Sequence, residues 1–220
     1  MVKILLDKNG KAILRNGSAI SLNEPSPTPS IPTTFGSRID DKATVVSVLQ
    51  DHEGNDYVLA VVDAAYRSGS GMAWGSTIDT SLQNNYDTNS LEADHHTGKF
   101  NTDLILSTYD ATDYPAFNFA RNACTVTIGN NTYYSVLPNA NELKLLYDNK
   151  DVLDQYDPTV ITYSSRTMSE FNFGSYGAWS SSELLSSHAW CVGNNGSVGS
   201  CYKGTEDGCG VCPVICIPLI

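Results

Sequence analysis

HAWCVGNNGSVGSCYKGTEDGCGVCPVICI, residues 188–217, holds five of the chain's six cysteines. HAWCV (188–192), GSVGSCY (196–202) and CGVCPVICI (209–217) keep a strand-like apolar order, and Asn194-Asn195-Gly196 reads as a hairpin turn between the first two. The residues between the apolar anchors are mostly Gly, Ser, Asn, Tyr, Asp and Cys, with Lys203, Thr205 and Glu206, in arbitrary succession. Cysteines so crowded are disulfides, metal ligands, free thiols or members of a surface that varies, and the choice among these decides the function.

Working outward, AWSSSEL (178–184) is a further short strand and residues 156–178 read as loop. PNANELKLLYDNKDVLD (138–154) is the clearest helix. Asn139 caps it, Glu142 three residues on completes a capping box, and Leu143, Leu146 and Tyr147 form the buried stripe. CTVTIGNNTYYSVL (124–137) reads as a hairpin around Gly129-Asn130-Asn131. In DYPAFNFARNAC (113–124), Asp113 suits an N-cap, Pro115 the first turn, and Ala116, Phe119, Ala120 and Ala123 recur at helical spacing. Residues 66–112, rich in Gly, Ser, Asn and Thr, read as long surface loops with short strands. ATVVSVLQ (43–50) and DYVLAVVDA (56–64) are β-branched strands joined by a turn at Glu53-Gly54-Asn55. EPSPTPSIPTT (24–34) holds four of nine prolines and reads as a stiff linker. Residues 1–23 read as a small hairpin about Asn9-Gly10, too short to be stable alone and suited to docking or oligomerisation or, equally, to lying as an N-terminal arm on the main domain. The pattern is α+β, with one domain over 35–220.

The 220 residues are 41% hydrophobic, with three Trp, twelve Tyr and six Phe, enough for a packed core. Thirteen Lys and Arg against 24 Asp and Glu give a net charge of -11. Without a basic stripe the chain is a poor partner for nucleic acid or for anionic membranes. No run approaches the roughly 18 apolar residues of a membrane span, so no membrane insertion is expected. The start, MVKILLDKNGK, does not read as a secretory signal, which implies synthesis in a cytoplasm and no ordinary export. Release by lysis, as part of a virion, fits the same reading.

LPNANELKLLYDNKD (137–151), AWSSSE (178–183), SSHAWCV (186–192), NGSV (195–198) and VCPV (211–214) follow one another in an order that resembles C-type-lectin-fold domains, and among them the variable proteins of diversity-generating retroelements, phage tropism determinants included. The resemblance is good over 113–220 and loose over 35–112. It implies a C-type-lectin-like fold with two helices and short antiparallel strands. It also implies a variable region at about 188–216, written from a template whose adenines are randomised. Cys191, Gly193, Ser197, Gly199, Ser200, Cys201, Tyr202, Gly204, Thr205, Asp207, Gly208, Cys209 and Gly210 are all types reachable from an asparagine codon, and Glu206 from a lysine codon. These fourteen would form the ligand-binding surface. The cysteines would then be one draw from a permitted set. The chain departs from the pattern at Val211-Cys212-Pro213-Val214, where such domains carry Arg in place of Cys212. What the resemblance implies is a host-recognition protein on a phage tail, made in the bacterial cytoplasm. Its partners would be a bacterial cell-surface protein or glycan and a tail structural protein, and it would be a homo-oligomer. It implies neither enzyme activity nor a cofactor. Trp179 and Trp190 would sit in the core or under the binding face.

Other readings weigh less. Cys209 and Cys212 have C-x₂-C spacing, and Cys201 or Cys216 could add zinc ligands, but no second knuckle follows and strand alternation points Cys209 and Cys212 to opposite faces. A disulfide such as Cys201–Cys209 would form in an oxidising medium, and its pairing is not legible. Cys124 reads as a buried small hydrophobe. Asp94-His95-His96 reads as a solvated loop rather than a metal fragment, and Gly69-Ser70-Gly71 as a flexible loop rather than a phosphate cradle. No G-x-S-x-G occurs, nor the Glu-Pro-Asn or Gln-Pro-Asp triplets of calcium-dependent lectins. A fixed bacterial surface or structural domain of the same fold, and a zinc protein or formylglycine-generating-type enzyme, stand as alternatives.

Overall fold

The computed structural model describes residues 5–6, 12–13, 30–68, 71–77, 96–153, 155–156, 177–204 and 209–219. The chain divides into two compact units, Met1–Ser30 and Ile31–Ile220. In the first, β1 (Leu5–Leu6) pairs antiparallel with β2 (Ala12–Ile13), Leu5 opposite Ile13 and Leu6 opposite Ala12. The Asn9-Gly10 turn and the prolines of 24–29 lie outside the described residues.

The second unit is mixed α+β, built on antiparallel sheets. Its strands begin with β3 (Arg38–Ile39), β4 (Ala43–Gln50) and β5 (Asp56–Val62). The turn joining β4 to β5 is held by the Asp51 carboxylate, which accepts from the backbone N–H groups of Glu53 and Asn55 at 2.9 Å each. Next come α1 (Gly98–Thr108), α2 (Pro115–Ala123), the hairpin β6 (Thr125–Ile128) and β7 (Asn131–Tyr134), α3 (Ala140–Asp148) and the short α4 (Lys150–Leu153). Then follow β8 (Ala178–Leu185), β9 (His188–Val192), β10 (Val198–Tyr202) and β11 (Val214–Pro218). Four helices are thus described where two were expected.

The four-stranded sheet runs β11-β5-β4-β3. Its central strand β5 is apolar along its length because both its faces are covered. Leu59, Val61, Val214 and Cys216 pack to one side with Leu143, Leu146 and Leu153. Val58, Ala60, Val62, Ile215 and Ile217 pack to the other with Cys124 and Val126. Alternation of side chains along the strands produces that division. Cys124 is a buried thiol in this second layer, its pKa pushed up to about 11 by burial.

α3 carries the expected capping box. Asn139 Oδ1 accepts from Glu142 N at 2.7 Å, and Glu142 Oε2 accepts from Asn139 N at 2.8 Å. The same carboxylate accepts from Tyr57 Oη at 2.7 Å and Gly98 N at 3.1 Å, so one buried side chain ties α3 to β5 and α1. Burial, and then Glu142, hold the Tyr57 phenol far above its ordinary pKa.

Two local readings need correction. α1 lies where loops were expected. The residues it buries are Gly98, Asn101, Thr102 and Ile105, so it shows no apolar stripe, and Thr97 caps it by accepting from Phe100 N at 3.0 Å. At α2 the N-cap is Tyr114, without a side-chain cap bond, and Asp113 instead ends a 3₁₀ turn, Ala111–Asp113, whose cap is Asp110. Pro115 at the first helical position supplies the start.

Candidate functional site

The second sheet runs β10-β9-β8, and segment 209–211 lies against it: Ala178 bridges Gly210 in parallel, and Trp179 N donates to Gly210 O at 3.0 Å. β8 buries a polar sequence. Ser180 Oγ donates to Trp190 O at 2.9 Å, Ser181 Oγ accepts from Asn101 Nδ2 at 3.1 Å, and Ser182 Oγ accepts from Ala140 N at 3.1 Å. Trp74 and Trp179, both fully buried, donate their indole N–H groups to Ser180 O and Met72 O at 2.7 Å each. Trp179 therefore belongs to the core, and Trp190 is half-buried.

β9 and β10 pair in register, Val198 to Val192, Gly199 to Cys191, Ser200 to Trp190, Cys201 to Ala189 and Tyr202 to His188. Alternation puts His188, Trp190, Ser200 and Tyr202 on one face, and Ala189, Cys191, Gly199 and Cys201 on the other. Of the residues expected at a variable surface, Ser197, Ser200, Tyr202 and Gly204 are exposed, and Gly193, Gly199 and Cys201 are half-exposed. Tyr202 meets His188 edge to face at 5.8 Å. Cys191, Cys209 and Gly210 are buried, which corrects their placement on an open surface. Their strands carry them inward, against the cluster of Trp74, Phe117 and Trp179. Thr205, Glu206, Asp207 and Gly208 lie outside the described residues.

Fixed points interrupt the open ones. Lys203, between Tyr202 and Gly204, is fully buried; its ammonium pairs with Glu183 at the end of the AWSSSE segment and sits 4.5 Å over the Trp74 ring. Gly196 turns at φ +78°, and a Cβ there would meet the Tyr147 ring at 2.3 Å. A Cβ at Gly199 would meet nothing within 4 Å. The Lys203–Glu183 pair escaped sequence reading because it joins residues twenty apart, each ordinary on a surface.

The cysteines do not group as C-x₂-C. Cys209 packs with the Trp74 cluster, whereas Cys212 and Cys216 pack with α3. Three thiols from separate segments converge instead: Cys191 on β9, Cys201 on β10 and Cys209 before β11 place their sulfurs within 4.8 Å of one another. Cys191 Sγ and Cys201 Sγ are 2.7 Å apart, and Cys209 Sγ donates to Cys201 Sγ at 3.4 Å. Hydrogen bonding to Cys191 and then Cys209 lowers the pKa of Cys201, and the bond to Cys201 raises that of Cys191. Cys209 is also raised, first by its bond to Cys191.

Asp94 and His95 lie outside the described residues, but His96 packs, stacked on Phe100 at 4.2 Å and edge-on to His52 at 4.3 Å. It is part of the α1 start rather than a freely solvated loop. Among the described residues no helix is long and apolar enough to cross a membrane. No protein-family model, curated protein or solved structure matches this chain.

Proposed function

We propose that this chain is a receptor-binding protein of C-type-lectin-like fold, diversified by a retroelement and carried on a phage tail. The observation that supports it best is the alternation of open and anchored positions between 196 and 204. Ser197, Ser200, Tyr202 and Gly204 are exposed and Gly199 has free space, while Gly196 and Lys203 are locked. Exposed strand positions accept substitution at little cost in stability, so a surface can change while its frame persists. Tyr offers rigid amphipathic contact and Ser and Gly adapt, a palette suited to recognition.

On this reading the ligand is a protein or glycan of the bacterial cell surface, and several copies acting together supply avidity. The hairpin at Leu5–Ile13 would dock to a tail structural protein or join copies. The variable set would be Gly193, Ser197, Gly199, Ser200, Cys201, Tyr202 and Gly204, with 205–208 included by sequence alone. Buried Cys191, Cys209 and Gly210 would stand outside it.

The test is sequencing codons 188–216 across a natural population. Adenine-borne variation at codons 193, 197, 199, 200, 201, 202 and 204, with 190, 196, 203 and 211 constant, is the expected result. Uniform codons throughout would overturn the reading in favour of a fixed-ligand domain.

A further inference from the structure

Cys191 and Cys209 pack in the Trp74 cluster with Cys201 against it, but packing alone does not require three sulfurs to meet at one point. Cys124, Cys212 and Cys216 are dispersed through two other layers of the core, Cys216 with its thiol donating to Glu142 Oε1 at 3.8 Å. The remaining three arrive from three different segments and turn their sulfurs toward one point. The hydrogen bonds described for these sulfurs are to one another.

A Cys191–Cys201 disulfide is the competing arrangement, since the two sulfurs are 2.7 Å apart although their residues stand diagonally in the ladder. Cys191 stands opposite Gly199 and Cys201 opposite Ala189, so the two cysteines are diagonal rather than facing. Diagonal neighbours lie about 7–8 Å apart. Bridged cysteines have Cα atoms about 4.4–6.8 Å apart. A disulfide would also leave Cys209 unused. A metal ion uses all three. Sulfurs each about 2.3 Å from one ion lie roughly 4 Å apart, within the span the cluster already has. The 2.7 Å Cys191–Cys201 approach would open by about 1 Å to reach that spacing.

The donors decide the class of ion. Thiolates select soft, thiophilic metals, whereas magnesium and calcium require oxygen ligands. Three protein ligands leave a tetrahedral ion one open position. Cys209 is fully buried and Cys191 nearly so, so that position cannot lie on their side. Cys201 is half-exposed, and Gly199, which shares its face and pairs with Cys191, leaves open space where a side chain would stand.

We propose that Cys191, Cys201 and Cys209 form a three-thiolate site for one thiophilic divalent cation of the zinc class, with its fourth position open on the Gly199 side. On binding, each ligand cysteine still protonated releases its proton to solvent and gives the sulfur pair to the ion. This site is independent of the receptor-binding reading: a fixed-sequence protein would bind the metal equally well.

The test is titration of the reduced, chelator-treated full chain with cobalt(II) under inert gas, followed by displacement with zinc(II). The expected result is one cobalt per chain, with intense sulfur-to-cobalt charge-transfer absorption that zinc abolishes. Cys201→Ser should weaken binding by more than about tenfold, the least expected when even an outer-shell partner is lost. Cys212→Ser should leave it unchanged. X-ray absorption of the zinc form should count three sulfur neighbours; it needs no variant and so stands even if Cys201→Ser fails to fold. A reduced chain that gives no thiolate–cobalt band, undiminished binding in a folded Cys201→Ser, or fewer than three sulfurs around zinc would overturn the site. So would a Cys191–Cys201 disulfide found by mass spectrometry in protein that, once reduced, takes up no metal.

Discussion

The two principal sheets are held together by different chemistry. β11-β5-β4-β3 is mainly apolar: Val58, Leu59, Ala60, Val61 and Val62 are buried in succession between apolar layers, and its buried polar contacts, Tyr57 with Glu142 and Arg38 with Thr44 and Asp63, lie toward the strand ends. β10-β9-β8 buries Ser180, Ser181, Ser182, Glu183 and Lys203 in its frame, each held by named partners. The apolar sheet gains its stability from transfer of apolar area, which is non-directional. The polar sheet gains position, because buried donors and acceptors must meet at fixed points or suffer the full loss. A frame that is positioned from within can leave its outer edge free.

Breaking the polar frame is expected to have the largest effect. Lys203→Met strands Glu183 without its cation in a buried setting, and loss of one member of such a pair costs about 3–5 kcal/mol. The double variant Glu183→Gln with Lys203→Met should recover part of that loss, since it removes the stranded buried charge. Urea unfolding of the two variants checks both statements. A single variant that unfolds like the wild type would remove the distinction between the sheets.

The apolar sheet should respond differently. Leu59→Ala, at a fully buried site of β5, should cost about 2–5 kcal/mol by transfer and cavity effects. Leu59→Met, nearly volume-conserving, should cost less than about 1.5 kcal/mol. The same denaturation experiment applies, and the contrast sharpens if no second substitution rescues Leu59→Ala as Glu183→Gln rescues Lys203→Met.

This difference also explains what could be read from sequence. The strands of the apolar sheet were legible because β-branched runs need no partner to be recognised, and α3 was legible because its capping box is local: Asn139 and Glu142 are three residues apart. α1 was not, because Asn101 and Thr102 occupy its buried side and hydrogen-bond to Ser181 and Leu137, partners 80 and 35 residues away. The cysteine cluster was hidden for the same reason. Spacing along the chain pairs Cys209 with Cys212, whereas the fold brings the sulfur of Cys209 beside those of Cys201 and Cys191. Open surface positions, too, could be recognised by residue type but not separated from buried ones, and Cys191, Cys209 and Gly210 went to the wrong side.

Smaller effects are expected within the tail itself. Gly196→Ala places a Cβ at φ +78° and into the Tyr147 ring, whose hydroxyl donates to Asn194 O at 3.1 Å. The left-handed backbone alone costs roughly 1–2 kcal/mol for a residue with a side chain, and displacing the ring adds to it. Thermal unfolding should show the loss directly.

Gly199→Tyr should do almost nothing to stability. It sits only three residues from Gly196, in the same hairpin, and is also a glycine. Yet its backbone is that of an ordinary strand, nothing stands within 4 Å of the position a Cβ would take, and tyrosine favours strands more than glycine does. The expected change is within about 0.5 kcal/mol of zero, in either direction. Two neighbouring glycines, one intolerant of a methyl group and the other indifferent to a phenol, would locate the line between frame and free surface to within a few residues. Equal losses at the two sites would mean that the tail has no such line, and a variable binding surface there would lose its physical basis.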